Sequence, residues 1–136
     1  MIWITDEDLD MQIRAVVRNV VSGDSAEVME TAERAAIAEA TSYLAGRYDT
    51  AAIFATEEDD RNPILKTYVI DLLLYHVHSR ISPNNIPKLR ENRYEQAIEW
   101  LKMVAADKLN PELPILAGQE GGNFKMGSKP KVSSWW

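Results

Sequence analysis

Cysteine is absent from this 136-residue chain, which excludes a disulfide framework and any thiolate-bound zinc. Histidine is nearly so, with only His76 and His78 present. Two positions apart on a helix, their side chains point about 200° from one another, so they cannot share a metal as an i, i+4 pair does. No apolar run approaches the roughly 20 residues of a membrane span. The opening MIWITDEDLD is acidic where a secretory leader is basic and apolar, so a soluble, intracellular protein is expected. Gly118, Gly121 and Gly122 follow no strand pattern and precede no helix pattern, so they make no phosphate-binding fingerprint. No serine carries a recognisable nucleophile motif, and no catalytic residue or cofactor is expected.

What is present is ordinary globular material: 46% apolar and 26% charged residues, enough for one domain that buries about two thirds of its unfolded surface. The net charge of −6 hides an asymmetry. Residues 1–60 hold fourteen acids and four bases, a balance of −10, and residues 61–136 hold seven acids and eleven bases, a balance of +4. If folding keeps these halves on different flanks, identical subunits can pair acidic side to basic side, a heterologous contact that closes into a ring when the rotation permits.

Hydrophobic periodicity predicts four helices and no strand pair, an all-α four-helix bundle. Thr5, followed by Asp6, Glu7 and Asp8, reads as a capped helix start, and Leu9, Ile13, Val16, Val17 and Val20 carry a first helix over 6–21. A second covers 25–47, with Val28, Met29, Ala32, Ala36, Ile37, Ala40, Tyr43 and Leu44 on one stripe; Glu27, Glu30, Glu33, Arg34 and Glu39 fall largely off it. Its alanines let another helix approach closely, and Gly46 offers a stop. Residues 48–62 read as an exposed connection. Pro63 suits a first helical position, and from Ile64 to Val77 apolar residues cover nearly every face, the mark of a central helix. Lys66 and Asp71 interrupt it, each expected on an exposed strip or paired with another helix, with a salt bridge at a subunit interface as the alternative. The turn SPNNIP leads to a fourth helix over 88–108, stopped at Asn110-Pro111. The domain is therefore expected over 1–110. An extended, flexible tail is expected over 111–136, rich in Pro, Gly, Lys and Ser and ending in Trp135-Trp136.

Candidate ligand-binding clusters are thin. Glu57, Glu58, Asp59 and Asp60 lack the alternating ligands and central glycine of a calcium loop, so no metal is expected there. Lys88, Arg90 and Arg93 beside Tyr94, with Lys125, Lys129 and Lys131, are too sparse against the overall acidity for sequence-specific nucleic-acid binding.

Four stretches taken together carry a family likeness: ITDEDL near the start, the alanine-rich helix ending YLAGRYD, the NPILK entry to the apolar helix, and RENRYEQAIEWLKMVAADKLNPELPI. Over residues 2–116 the chain resembles the small helical head–tail connector (head completion, or adaptor) proteins of tailed phages, particularly a family of formerly unknown function encoded in Mu-like prophages. The resemblance implies a structural role in the phage neck: subunits forming a homo-oligomeric ring below the portal and receiving the tail or a stopper protein, assembled in the host cytoplasm, with no catalytic residues to carry over. Charge and expected exposure nominate Arg47, Tyr48, Glu57, Glu58, Asp59, Asp60, Arg90, Arg93, Trp135 and Trp136 as interface residues. The competing reading is a small helical protein-binding module of a bacterial regulator outside any virion. An enzyme built on Asp71 and His78 is the remotest of the three.

Overall fold

Side-chain chemistry sets the helix ends in the computed structural model, which describes residues 2–13 and 26–117. Thr5 opens α1 (Asp6–Gln12) with a capping box: its hydroxyl accepts the Asp8 N–H at 3.2 Å, and the Asp8 carboxylate accepts the Thr5 N–H at 2.9 Å. The helix is shorter than the periodicity predicts. Ile13 turns extended at φ −141°, ψ 157° and packs against the core instead of continuing the helix; the rest of the expected segment, residues 14–21, lies outside the described residues.

The body is made by α2 (Ala26–Leu44), α4 (Pro63–Ile81) and α5 (Lys88–Ala105), each packed on the other two. Ala32, Ala36 and Ala40 are fully buried, one per turn of α2, so the predicted small-residue stripe is where its neighbours approach. Asn62 caps α4 by accepting the N–H groups of Ile64 and Leu65, both at 3.0 Å. Pro63 fills the first turn, where its missing N–H costs nothing. Leu65, Val69, Ile70, Leu72, Leu73, Leu74 and Val77 of α4 are buried, each contributing roughly 1.5–3 kcal/mol relative to exposure. α4 and α5 run antiparallel, as Tyr75 on Tyr94 and Tyr68 on Trp100 show, with ring centroids 4.0 and 5.1 Å apart. α2 runs parallel to α5, since Glu39 meets Tyr94 while Arg47, beyond the end of α2, meets Asp107.

The stretch over 48–62 is not simply an exposed connection. It contains α3 (Thr50–Ile53), capped by Asp49, and a 3-10 turn over Glu58–Asp60, and it places Tyr48, Ile53 and Arg61 inside the protein. Its short, irregular spacing hid these inward residues from a periodicity argument.

Past α5 the chain reverses at Asp107, left-handed at φ 64°. The N–H groups of Asp107 and Lys108 bond back to Val104 and Met103 at 3.0 and 2.9 Å, a Schellman stop made without glycine. Residues 111–117, expected at the start of the tail, dock on the turn between α2 and α3. Leu113 is buried, the Asp49 N–H donates to Pro114 at 2.9 Å and the Leu116 N–H to Arg47 at 3.0 Å, flanking an isolated antiparallel bridge between Tyr48 and Ile115. The tail beyond, residues 118–136 with Trp135 and Trp136, lies outside the described residues. Those that are described are all-α apart from that bridge, and none of their helices is long and apolar enough to cross a membrane.

Candidate interaction surface

The nominated interface residues separate into two groups. Glu57, Glu58, Asp59 and Asp60 are exposed, on a turn held by Arg61, whose Nε donates to the Glu58 carbonyl at 2.8 Å. Glu58 is left-handed at φ 53°, which turns this loop sharply just before α4. Tyr48 and Arg90, in contrast, are 3% and 7% exposed, so the exposure on which their nomination rested is corrected. Tyr48 belongs to the core beneath the 111–117 segment, where burial raises the pKa of its phenol. Arg90 is turned inward toward Asp71 of α4, 3.8 Å away. Arg47 is partly exposed but engaged within the subunit, 2.8 Å from the Asp107 carboxylate and 3.0 Å from Asn110 Oδ1. Arg93 is half-buried and close enough to Asp71 to favour its ionised form.

Three further polar clusters hold the fold, and sequence reasoning found only parts of them. In the first, Arg61 Nη1 donates to Asp8 Oδ2 at 2.5 Å and to the Trp3 carbonyl at 2.9 Å, while Lys66 Nζ reaches Asp8 Oδ1 at 3.3 Å. Lys66 thus pairs with another helix, as does Asp71, one of the arrangements expected for charges inside α4. Burial pushes the Asp8 carboxyl up, but its bonds to Arg61 and Thr5 outweigh burial and hold it well below the usual carboxylate range.

The second cluster is a carboxylate clamp. Glu33, 1% exposed, accepts the backbone N–H groups of Ile2, Trp3 and Ile4 at 2.7, 2.8 and 2.7 Å. Three backbone donors replace the water that burial takes from its oxygens. Its expected place off the buried stripe is corrected here, although a signal was available: Glu33 stands four residues after Met29 and three before Ala36, on the buried stripe itself. The clamp seats Trp3 edge-on against Phe54, with centroids 5.0 Å apart.

In the third, Glu39 accepts the Tyr94 hydroxyl at 2.6 Å and faces His76 Nε2 at 2.9 Å. Burial, then Glu39, raises the pKa of the Tyr94 phenol. His78 is pushed below its ordinary value by burial and by Arg90; among the described residues it does not share the Glu39 partner of His76. Among the described residues no three His, Asp or Glu side chains gather as metal ligands. The arrangement positions helices and leaves the charged Glu57–Asp60 loop outside.

Against known proteins, the sequence profile of the family described as Bacteriophage Mu, Gp36 matches residues 1–124. No curated protein and no solved structure matches the chain.

Proposed function

The chain belongs to the Bacteriophage Mu, Gp36 family, and from that premise we propose that it is a virion structural protein, a head–tail connector or adaptor subunit that assembles into a ring between portal and tail. Membership of a phage family across nearly the whole chain carries this reading and weighs against a regulator outside any virion. The disposition of charge supports it. Arg47, Arg61, Lys66 and Arg90 are committed to partners inside the subunit, whereas Glu57–Asp60 stay exposed on a sharply turned loop. Such a subunit acts by fitting against copies of itself and adjoining phage parts, without turnover.

The test is a phage in which Glu57, Glu58, Asp59 and Asp60 are replaced together by Gln or Asn. Electron microscopy of the lysate is expected to show filled heads lacking tails, and purified wild-type protein is expected to form rings on isolated portal. Normal tailed particles in a strain from which the whole gene is deleted would refute the reading.

A further inference from the structure

Between α2 and α5 lies a shallow groove lined by Glu39, Tyr43, Tyr94, Glu95, Ile98, Glu99 and Lys102. Its volume is about 290 Å³, at the lower edge of the ~300–1,000 Å³ of small-molecule clefts, and it is open to solvent, so a strip of polypeptide can enter it. The floor is preorganised. Tyr94 is stacked on Tyr75 with centroids 4.0 Å apart, and both oxygens of Glu39 are engaged, one by the Tyr94 hydroxyl and the other by His76. Tyr43, Tyr94 and Ile98 are only partly covered, which leaves an aromatic and aliphatic shelf. Glu95 and Glu99, one helical turn apart, are exposed along its edge. An occupant matching this surface carries positive charge and large rings, since Glu39, Glu95 and Glu99 outnumber the one cation among the described lining residues, Lys102.

The chain itself contains such an occupant. Residues 124–136, FKMGSKPKVSSWW, hold Lys125, Lys129 and Lys131, the rings of Phe124, Trp135 and Trp136, and no acid. The described chain arrives close by, since the Leu116 N–H donates to the Arg47 carbonyl at 3.0 Å and Arg47 is one helical turn from Tyr43 at the end of the groove. Nineteen residues follow Ala117, and at about 3.3 Å each they span up to ~60 Å, several times the ~12 Å that separates the lining residues Tyr94 and Lys102 along α5. A segment tethered this near is present at an effective concentration on the order of millimolar, far above what a separate copy reaches in dilute solution. We propose that the α2–α5 groove is the docking site for residues 124–136 of the same chain, with lysines against Glu95 and Glu99 and an indole on the Tyr43–Tyr94 shelf. This goes beyond the connector reading and holds for the isolated subunit whether or not a ring forms.

The absence of cysteine allows a clean test in the full-length protein. A nitroxide attached to Ser133→Cys is expected to broaden away the amide resonances of Tyr43 and of Tyr94 to Lys102 in dilute isotope-labelled protein, leaving those of α1 and α3 intact. Combining Glu95→Lys with Glu99→Lys, both exposed and outside the core, is expected to restore the lost peaks while the rest of the spectrum stays that of the folded protein. Trp135→Ala with Trp136→Ala, tested with the same label, is expected to restore them as well. The proposal is overturned if no groove resonance broadens. It is equally overturned if broadening appears only when spin-labelled, isotope-free protein is mixed with unlabelled isotopic protein, since the occupant is then a second copy.

Discussion

Asp8 and Asp71 are both buried beside arginines, yet their surroundings move their titrations in opposite directions. Asp8 receives direct hydrogen bonds from Arg61 and Thr5, which more than offset burial. Asp71 has Arg90 at 3.8 Å, and its Oδ1 has no hydrogen-bond partner among the described residues. Burial therefore wins over the attraction of Arg93 and Arg90 and raises its carboxyl to about 6. The two make separable contributions to stability. A carboxyl depressed in the folded state stabilises fully above its unfolded value, about 3.9, and loses that contribution as pH falls below it. A raised carboxyl does the reverse: the folded state retains the proton between about pH 4 and 6, so stability declines as pH rises through that interval. Urea unfolding is expected to show Asp8→Asn destabilised by about 3–5 kcal/mol at neutral pH, the cost of leaving the Arg61 charge buried without its partner. Asp71→Asn is expected to flatten the decline of stability between about pH 4 and 6. A variant that keeps the wild-type slope there would show that Asp71 is ionised throughout.

At the level of the element, α2 makes the sharpest claims. Ala36 is fully buried where α2 is crossed by its neighbours, so Ala36→Leu forces the helices apart and is expected to cost about 1–3 kcal/mol, read as a lower denaturation midpoint. Gly46 behaves differently. Its backbone is not left-handed and a Cβ there would have nothing within 4 Å, so Gly46→Ala is expected to stabilise by about 0.4–1 kcal/mol through the unfolded chain; a loss of stability would mean that the turn needs glycine after all. The same contrast explains what could be read in advance. The alanine stripe, the Asn62-Pro63 start and the apolar α4 follow from local chemistry repeated at helical spacing, and they stand where that spacing places them. Tyr48, Arg61 and Arg90 are buried by partners far away in the chain, Ile115, Asp8 and Asp71. No local pattern announces such pairings, so a charged or amphipathic residue beside a loop looked exposed. The left-handed Asp107 was hidden for the opposite reason, because its stop uses backbone bonds that almost any sequence can make.

For the molecule as a whole, the question is whether opposite charges cancel within one subunit or remain for a neighbour. The exposed acids Glu57–Asp60 precede α4, while exposed Arg80 and Lys88 lie at its far end. The 19 residues of α4 hold these ends about 28 Å apart at 1.5 Å per residue. That is nearly three times the screening length of ~10 Å at 0.1 M salt, so the two ends do not neutralise one another. Under the connector proposal, the exposed acids at one end are available to a basic surface on another copy, the heterologous geometry that a ring requires, although Arg80 at the other end already shares its surroundings with Glu27 and Glu30 of α2. Raising salt from 0.05 to 0.5 M is therefore expected to weaken subunit–portal association measured by light scattering, chiefly through slower assembly, because steering by exposed charge acts on the association rate. Neutralising Glu57–Asp60 is expected to reduce the salt dependence as well as the affinity at low salt. An affinity that stays constant across that range would mean that apolar surface carries the docking, and attention would shift to exposed Ile64, Ile81 and Leu89.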